Sequence, residues 1–128
     1  HPAGSLERLR QDGAMFAVLD EIEGPLWTAA KHKFALPEAQ RHPEVAETCR
    51  WEFARGLELL AQRLGEGPWL MGEAFTLPDL LAGHCLDWAR KAFKQDFEGA
   101  IADYHARLRA RPAYGRAVER TRAILAAA

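Results

Sequence analysis

The chain has 128 residues, 48% apolar and 27% charged, which is the composition of one soluble-type domain able to bury a sizeable core. Its formal charge of −1 gives no electrostatic ground for binding nucleic acid or an anionic membrane surface. No apolar run nears the ~20 residues of a transmembrane helix, and the N-terminus carries no secretory apolar region.

Helical periodicity fills the chain, while alternating β patterns and hairpin turns are nearly absent. Ser5 is placed to cap a first long helix carrying Leu6, Leu9, Phe16, Leu19, Ile22 and Leu26. Gly24-Pro25 is expected to kink or divide it, because proline lacks the N–H and crowds the preceding turn. The pattern resumes through Trp27 and Phe34 and stops before Pro37. A second helix starts near Pro43, puts Val45, Cys49, Phe53, Leu57, Leu60 and Leu64 on one face, and ends at Gly65-Glu66-Gly67-Pro68.

The sharpest local signal follows. Thr76 reads as an N-cap, and Asp79 as its partner in a capping box; Phe75 and Leu80 are spaced as a hydrophobic staple, and Pro78 suits the first turn. The helix that begins there carries Leu77, Leu80, Leu81, His84, Cys85 and Trp88, apolar around much of its circumference, as a central helix would be. On local capping alone, Asp79→Ala is expected to cost about 1–2 kcal/mol. A fourth helix carries Ile101, Tyr104, His105 and Leu108. A last, shorter one starts at Pro112 with Tyr114, Ala117 and Val118, and Ala126 to Ala128 are expected to fray. The expected fold is a single all-α domain over residues 1–128, a bundle of five to six helices.

Catalytic equipment is not visible. The five histidines are scattered, with no pair at helical metal-binding spacing, and no CxxC, phosphate-binding loop or nucleophile elbow occurs. Cys49 and Cys85 read as buried thiols that serve as small hydrophobes, consistent with a reducing, cytoplasmic setting. His84 reads as a packed histidine that could border a pocket one turn before Trp88. Lys31-His32-Lys33 reads as a solvated basic face or an anion contact beside a groove, and Arg107, Arg109 and Arg111 as an exposed, dipole-complementing set.

Trp69-Leu70-Met71-Gly72-Glu73-Ala74-Phe75-Thr76-Leu77-Pro78-Asp79 resembles the signature of the C-terminal domain of cytosolic glutathione transferases, where a long loop leads into the central helix. The tail Tyr104 to Tyr114, with Arg111-Pro112-Ala113-Tyr114, is similar to that family's closing pattern. Lys33 to Pro37 and Trp51-Glu52-Phe53 look like bacterial members. The resemblance covers residues 5–122.

It implies a helical half that supplies the apolar electrophile pocket and part of a homodimer interface. The catalytic residues and glutathione, the co-substrate, would belong to a thioredoxin-like N-terminal domain. No counterpart of that domain is seen in this sequence, and the non-Met start at His1 points the same way, so the chain is expected to be the C-terminal half of a detoxifying transferase and inactive alone. By position, Phe16, Leu19, Trp27 and Lys31 would line the groove on one side, and His84 and Trp88 on the other, around a small apolar electrophile. Thr76 and Asp79 carry a folding role in this resemblance. No residue of the chain is assigned to catalysis or to a metal. The alternative is a non-catalytic assembly module of the same fold, as occurs in translation factors.

Overall fold

The computed structural model describes residues 1–127. Six α-helices are present: α1 (Leu6–Ala17), α2 (Gly24–Ala30), α3 (Val45–Leu64), α4 (Leu77–Ala92), α5 (Gly99–Arg109) and α6 (Pro112–Ala126). The all-α class follows, with only two isolated bridges among the described residues, Trp69 with Gly72 and Met71 with Ala74, in the long connection between α3 and α4. The fraying expected at Ala126 to Ala128 falls partly on Ala128, which lies outside the described residues; α6 itself continues to Ala126. At 15 residues α6 is longer than α5, contrary to the expected short last helix. None of its residues is fully buried, and it is held through the half-buried Tyr114, whose hydroxyl bonds Asp87.

Pro25 does not interrupt the first helical run. α1 passes into a π-helical segment, Val18–Glu23, then α2, then a second π-segment, Lys31–Ala35, before Leu36 turns extended. The Gly24 N–H reaches back to the Leu19 carbonyl, and Pro25 falls in the first turn of α2. Wide i→i+5 turns immediately before a proline absorb its missing donor and relieve the clash with the previous turn. The π-segment also buries Val18 and Ile22 against α3. There Gly56 meets the backbone of Glu21 so closely that an added Cβ would collide with the Glu21 carbonyl, and glycine is required.

α3 starts at Val45 after a turn through Pro43, and its buried face is Cys49, Phe53, Gly56, Leu60 and Leu64. Gly65 ends it at φ +57°, the left-handed region that favours glycine. The expected face is correct at its centre, with Val45 and Leu57 only partly buried against the core.

α4 occupies the middle of the core, but through a narrower face than its composition indicates. Pro78, Asp79, Ala82, Cys85, Leu86 and Ala89 are buried, whereas Leu77 and Leu80 are 46% and 57% exposed and His84 is exposed. Small residues at helical spacing let the first helical run (α1, the 18–23 π-segment and α2) and α5 approach α4 closely, and its larger apolar residues fall partly outside that contact. α5 buries all of Ile101, Tyr104, His105 and Leu108, as expected.

Thr76 and Asp79 form the capping box. Its carboxylate half is well made, with the Thr76 N–H donating to Asp79 Oδ2 at 2.8 Å. The hydroxyl half is looser: Thr76 Oγ1 donates to the same oxygen at 3.1 Å, and the Asp79 N–H bonds the Thr76 carbonyl at 3.1 Å. The other carboxylate oxygen, Oδ1, accepts from the Leu70 N–H at 2.8 Å and from the Tyr104 hydroxyl at 2.8 Å. Asp79 and Tyr104 are both fully buried. One carboxylate therefore joins the long loop, α4 and α5. Phe75 packs edge-on against Trp69 at 5.2 Å, with Arg111 above its ring at 3.3 Å, and these contacts rather than a tight staple hold the loop's end.

Asp79→Ala leaves four donors without their acceptor and should cost about 3 kcal/mol or more, above the value for a simple cap, while Tyr104→Phe should cost about 1.5–3 kcal/mol. Urea denaturation of the two variants checks this; a loss of about 1 kcal/mol or less for Asp79→Ala would mean the carboxylate acts only as a local cap.

Candidate functional site

Two clefts meet at Trp88, one on each side of α4. The first, of ≈ 790 Å³, lies between the end of the first helical run, the start of α3 and the end of α4. Leu26, Ala30, Phe93 and Trp88 form its apolar wall, with Phe34 at the edge. Phe93 is held edge-on against Phe53 at 5.6 Å, and Arg50 lies over its ring at 4.8 Å while donating to its carbonyl at 2.9 Å. Lys33, Arg41, Arg50 and Lys91 also line this cleft, against a single carboxylate, Glu38.

The second cleft, of ≈ 1160 Å³, is an open groove between α4 and α6, lined by His84, Trp88, Arg109, Tyr114 and Val118 among others. Its floor is a polar hub on Asp87. Oδ1 accepts from Arg109 at 2.7 Å and bonds His105 Nε2 at 2.8 Å, and Oδ2 accepts from the Tyr114 hydroxyl at 2.8 Å. Burial opposes the Asp87 charge, but the hydrogen bonds from Tyr114, His105 and Arg109 outweigh it and hold the carboxyl below its ordinary value. The same contacts push the Tyr114 phenol up, burial first and then the Asp87 bond and charge, so Tyr114 stays a donor. The hub joins α4, α5 and α6 and uses all its partners internally.

The residues expected to form one groove divide among several places. His84 and Trp88 do lie together, ring centroids 6.3 Å apart, in the second cleft, and Trp88 also reaches the first. Phe16 and Leu19 line a separate shallow depression beside Arg63, while Trp27 is 43% exposed and Lys31 half-buried, neither lining the two clefts at Trp88. The π-segment at 18–23 is the reason: it changes the helical phase, so residues before and after it do not share the face that an unbroken 3.6-residue repeat would give them. Leu26, Phe34 and Phe93 were not singled out as site residues. The only signal for them was apolar spacing, which also describes core.

The three arginines assigned to a solvated face are each engaged. Arg107 donates to the Pro68 carbonyl at 3.2 Å, Arg109 binds Asp87, and Arg111 covers Phe75. In the basic cluster, His32 Nδ1 accepts the His42 N–H at 3.0 Å, joining the π-segment to the turn before α3. The two thiols are free and buried. Burial, then the Glu23 charge, pushes the Cys85 thiol up to about 12, and burial with the Glu52 charge raises Cys49. Among the described residues no group of three or more His, Cys, Asp or Glu side chains could hold a metal, and no helix is long and apolar enough to cross a membrane.

The chain is thus a helical domain with a buried aspartate at the head of its central helix and two clefts that meet at Trp88. Residues 18–112 match the family described as glutathione S-transferase, C-terminal domain. The chain is also similar to "Disulfide-bond oxidoreductase YfcG" of Escherichia coli (strain K12), 30% identical over 96 residues, which is 74% of this chain and 44% of that protein. No solved structure matches. The chain belongs to the glutathione S-transferase C-terminal domain family, and it spans less than half the length of the curated relative it matches.

Asp87→Asn should destabilise at neutral pH by about 1–3 kcal/mol through loss of a charge-assisted hub. A carboxyl lowered by folding contributes stability above its unfolded value, near 3.8, and loses it as pH falls through the folded value. The gap between wild type and Asp87→Asn in denaturation curves should therefore be constant from neutral pH down to the region of 3.8 and close below it. A gap independent of pH throughout would contradict the hub's ionised state.

Proposed function

We propose that this chain is the co-substrate-binding half of a glutathione-dependent enzyme, one that conjugates glutathione to an electrophile or reduces a disulfide with it. One observation carries the reading: a preformed cleft of ≈ 790 Å³ with a wall of Leu26, Trp88 and Phe93, in a domain of this family. That volume is within the ~300–1,000 Å³ of small-molecule sites, and apolar contact supplies most of a small ligand's affinity. Trp88 stands at the junction of both clefts and is the principal contact, with His84 bordering the groove beside it. Trp27 and Lys31 flank this region along the first helical run. Glutathione is the thiol co-substrate, held by a thioredoxin-like domain of the whole protein, which acts in the cytoplasm.

Phe16 and Leu19 take a different role. Leu6, Leu9 and Phe16 are 56%, 68% and 64% exposed and recur at helical spacing along α1, with Leu19 beyond them. A row of this kind is a typical pairing surface, and we assign it to a homodimer interface.

Two measurements test these roles. In the intact protein, Trp88→Ala should raise KM for an apolar electrophile or disulfide by about tenfold and leave KM for glutathione within about twofold; the reverse pattern would remove the cleft from the co-substrate site. Light scattering should give a dimer for the intact protein and a monomer for Leu9→Glu/Phe16→Glu, whereas an unchanged mass would remove the α1 row from the interface.

A further inference from the structure

The wall of the first cleft is neutral and apolar, but its border is not. Lys33, Arg41, Arg50 and Lys91 face a single carboxylate, Glu38, on a chain whose overall charge is −1. Among the described residues none of these four cations takes part in an ion pair. Two of them are nevertheless fixed. Arg41 donates through Nε to the Leu36 carbonyl at 2.8 Å and through Nη2 to the Phe34 carbonyl at 3.0 Å. Arg50 donates through Nη1 to the Phe93 carbonyl at 2.9 Å, its guanidinium over the Phe93 ring. Backbone carbonyls orient a guanidinium without neutralising it, and most of its five donors remain for another acceptor. The cleft thus joins an apolar wall to a pre-positioned, uncompensated positive border.

We propose that the co-substrate of this cleft is an organic anion: a compact apolar body, aromatic or branched, that ends in a carboxylate. The apolar body lies against Leu26, Trp88 and Phe93, and the carboxylate meets the guanidinium of Arg50 or Arg41, with Lys33 and Lys91 adding attraction from the exposed rim. Charge placed this way selects between ligands more than it adds affinity, because the neutral analogue leaves the cations as they were while the anion gains charge-assisted hydrogen bonds. The proposal rests on the reading of the cleft as a co-substrate site.

Titration calorimetry of the intact protein with phenylbutyrate, its neutral amide phenylbutyramide, and glutathione separates the cases. Phenylbutyrate should bind about tenfold or more tightly than the amide. That preference should shrink in high salt and in Lys33→Gln/Lys91→Gln, two exposed positions whose replacement should leave the circular-dichroism spectrum unchanged. Trp88→Ala should weaken both phenyl ligands alike. Equal binding of acid and amide would overturn the anion inference and leave the cleft reading standing. Glutathione binding as tightly as phenylbutyrate would overturn it by assigning the cations to the thiol substrate. Binding of neither phenyl compound would overturn the cleft reading, and the proposal with it.

Discussion

The fold depends on one buried carboxylate. Asp79 has no contact with water, and an isolated ionised group in that position would be strongly unfavourable. It is tolerated because four hydrogen bonds converge on it, from two backbone amides and two hydroxyls. These donors come from the long loop, the head of α4 and the middle of α5. Elements far apart in sequence are thereby fixed to a point rather than to a surface. Apolar packing alone would allow α4 to slide or turn along its small-residue face. The carboxylate sets both its start and its rotation, and therefore the side on which Trp88 emerges. The same interaction holds the Tyr104 phenol above its ordinary pKa, by burial first and then by the Asp79 charge and bond, so the donor is never lost at physiological pH.

A second constraint shapes the site itself. The two π-segments give the first helical run a widened backbone, and the first of them presents the Glu21 carbonyl to Gly56 of α3 at close range. At that point the two helices nearly touch. Further along, the run ends in the Lys31–Ala35 π-segment and Arg41 ties its last carbonyls to the turn before α3. The C-terminal end of α4 closes the other side through Phe93 and Arg50. The cleft is thus a consequence of helices held tightly at the middle of the domain and separated near their ends, with arginines used as fixed spacers.

Much of this was legible in the sequence, because it is local. The α4 cap, the α3 face and its glycine stop, and the buried set on α5 all follow from residues within a few turns of one another. The resemblance carried by the Trp69-to-Asp79 segment agrees with the family match over residues 18–112. What was not legible is non-local or breaks the period. The Tyr104 bond to Asp79 spans 25 residues and has no sequence signature, so the aspartate read as an ordinary cap. The π-segments carry the helical run through Pro25, where a break was expected, and shift the helical phase, and Phe16 and Leu19 lie in a separate depression. Leu77 and Leu80 looked like core because composition cannot say which of several apolar faces a neighbour will cover. The charged border of the cleft was half visible in Lys31-His32-Lys33, but Arg41, Arg50 and Lys91 reach it from three other stretches of chain.

Native-state hydrogen exchange at the Leu70 and Thr76 amides tests the central claim most directly. Both sit outside the helices, in a connection where exchange through small local openings is ordinary. If Asp79 anchors the domain, these two amides should exchange only through global unfolding, with protection matching the slowest amides of α4 and falling in step with overall stability as urea is added. Exchange by a low-energy, urea-insensitive opening, with α4 still protected, would show that the loop comes and goes without the core and that the buried carboxylate is not what holds the fold together.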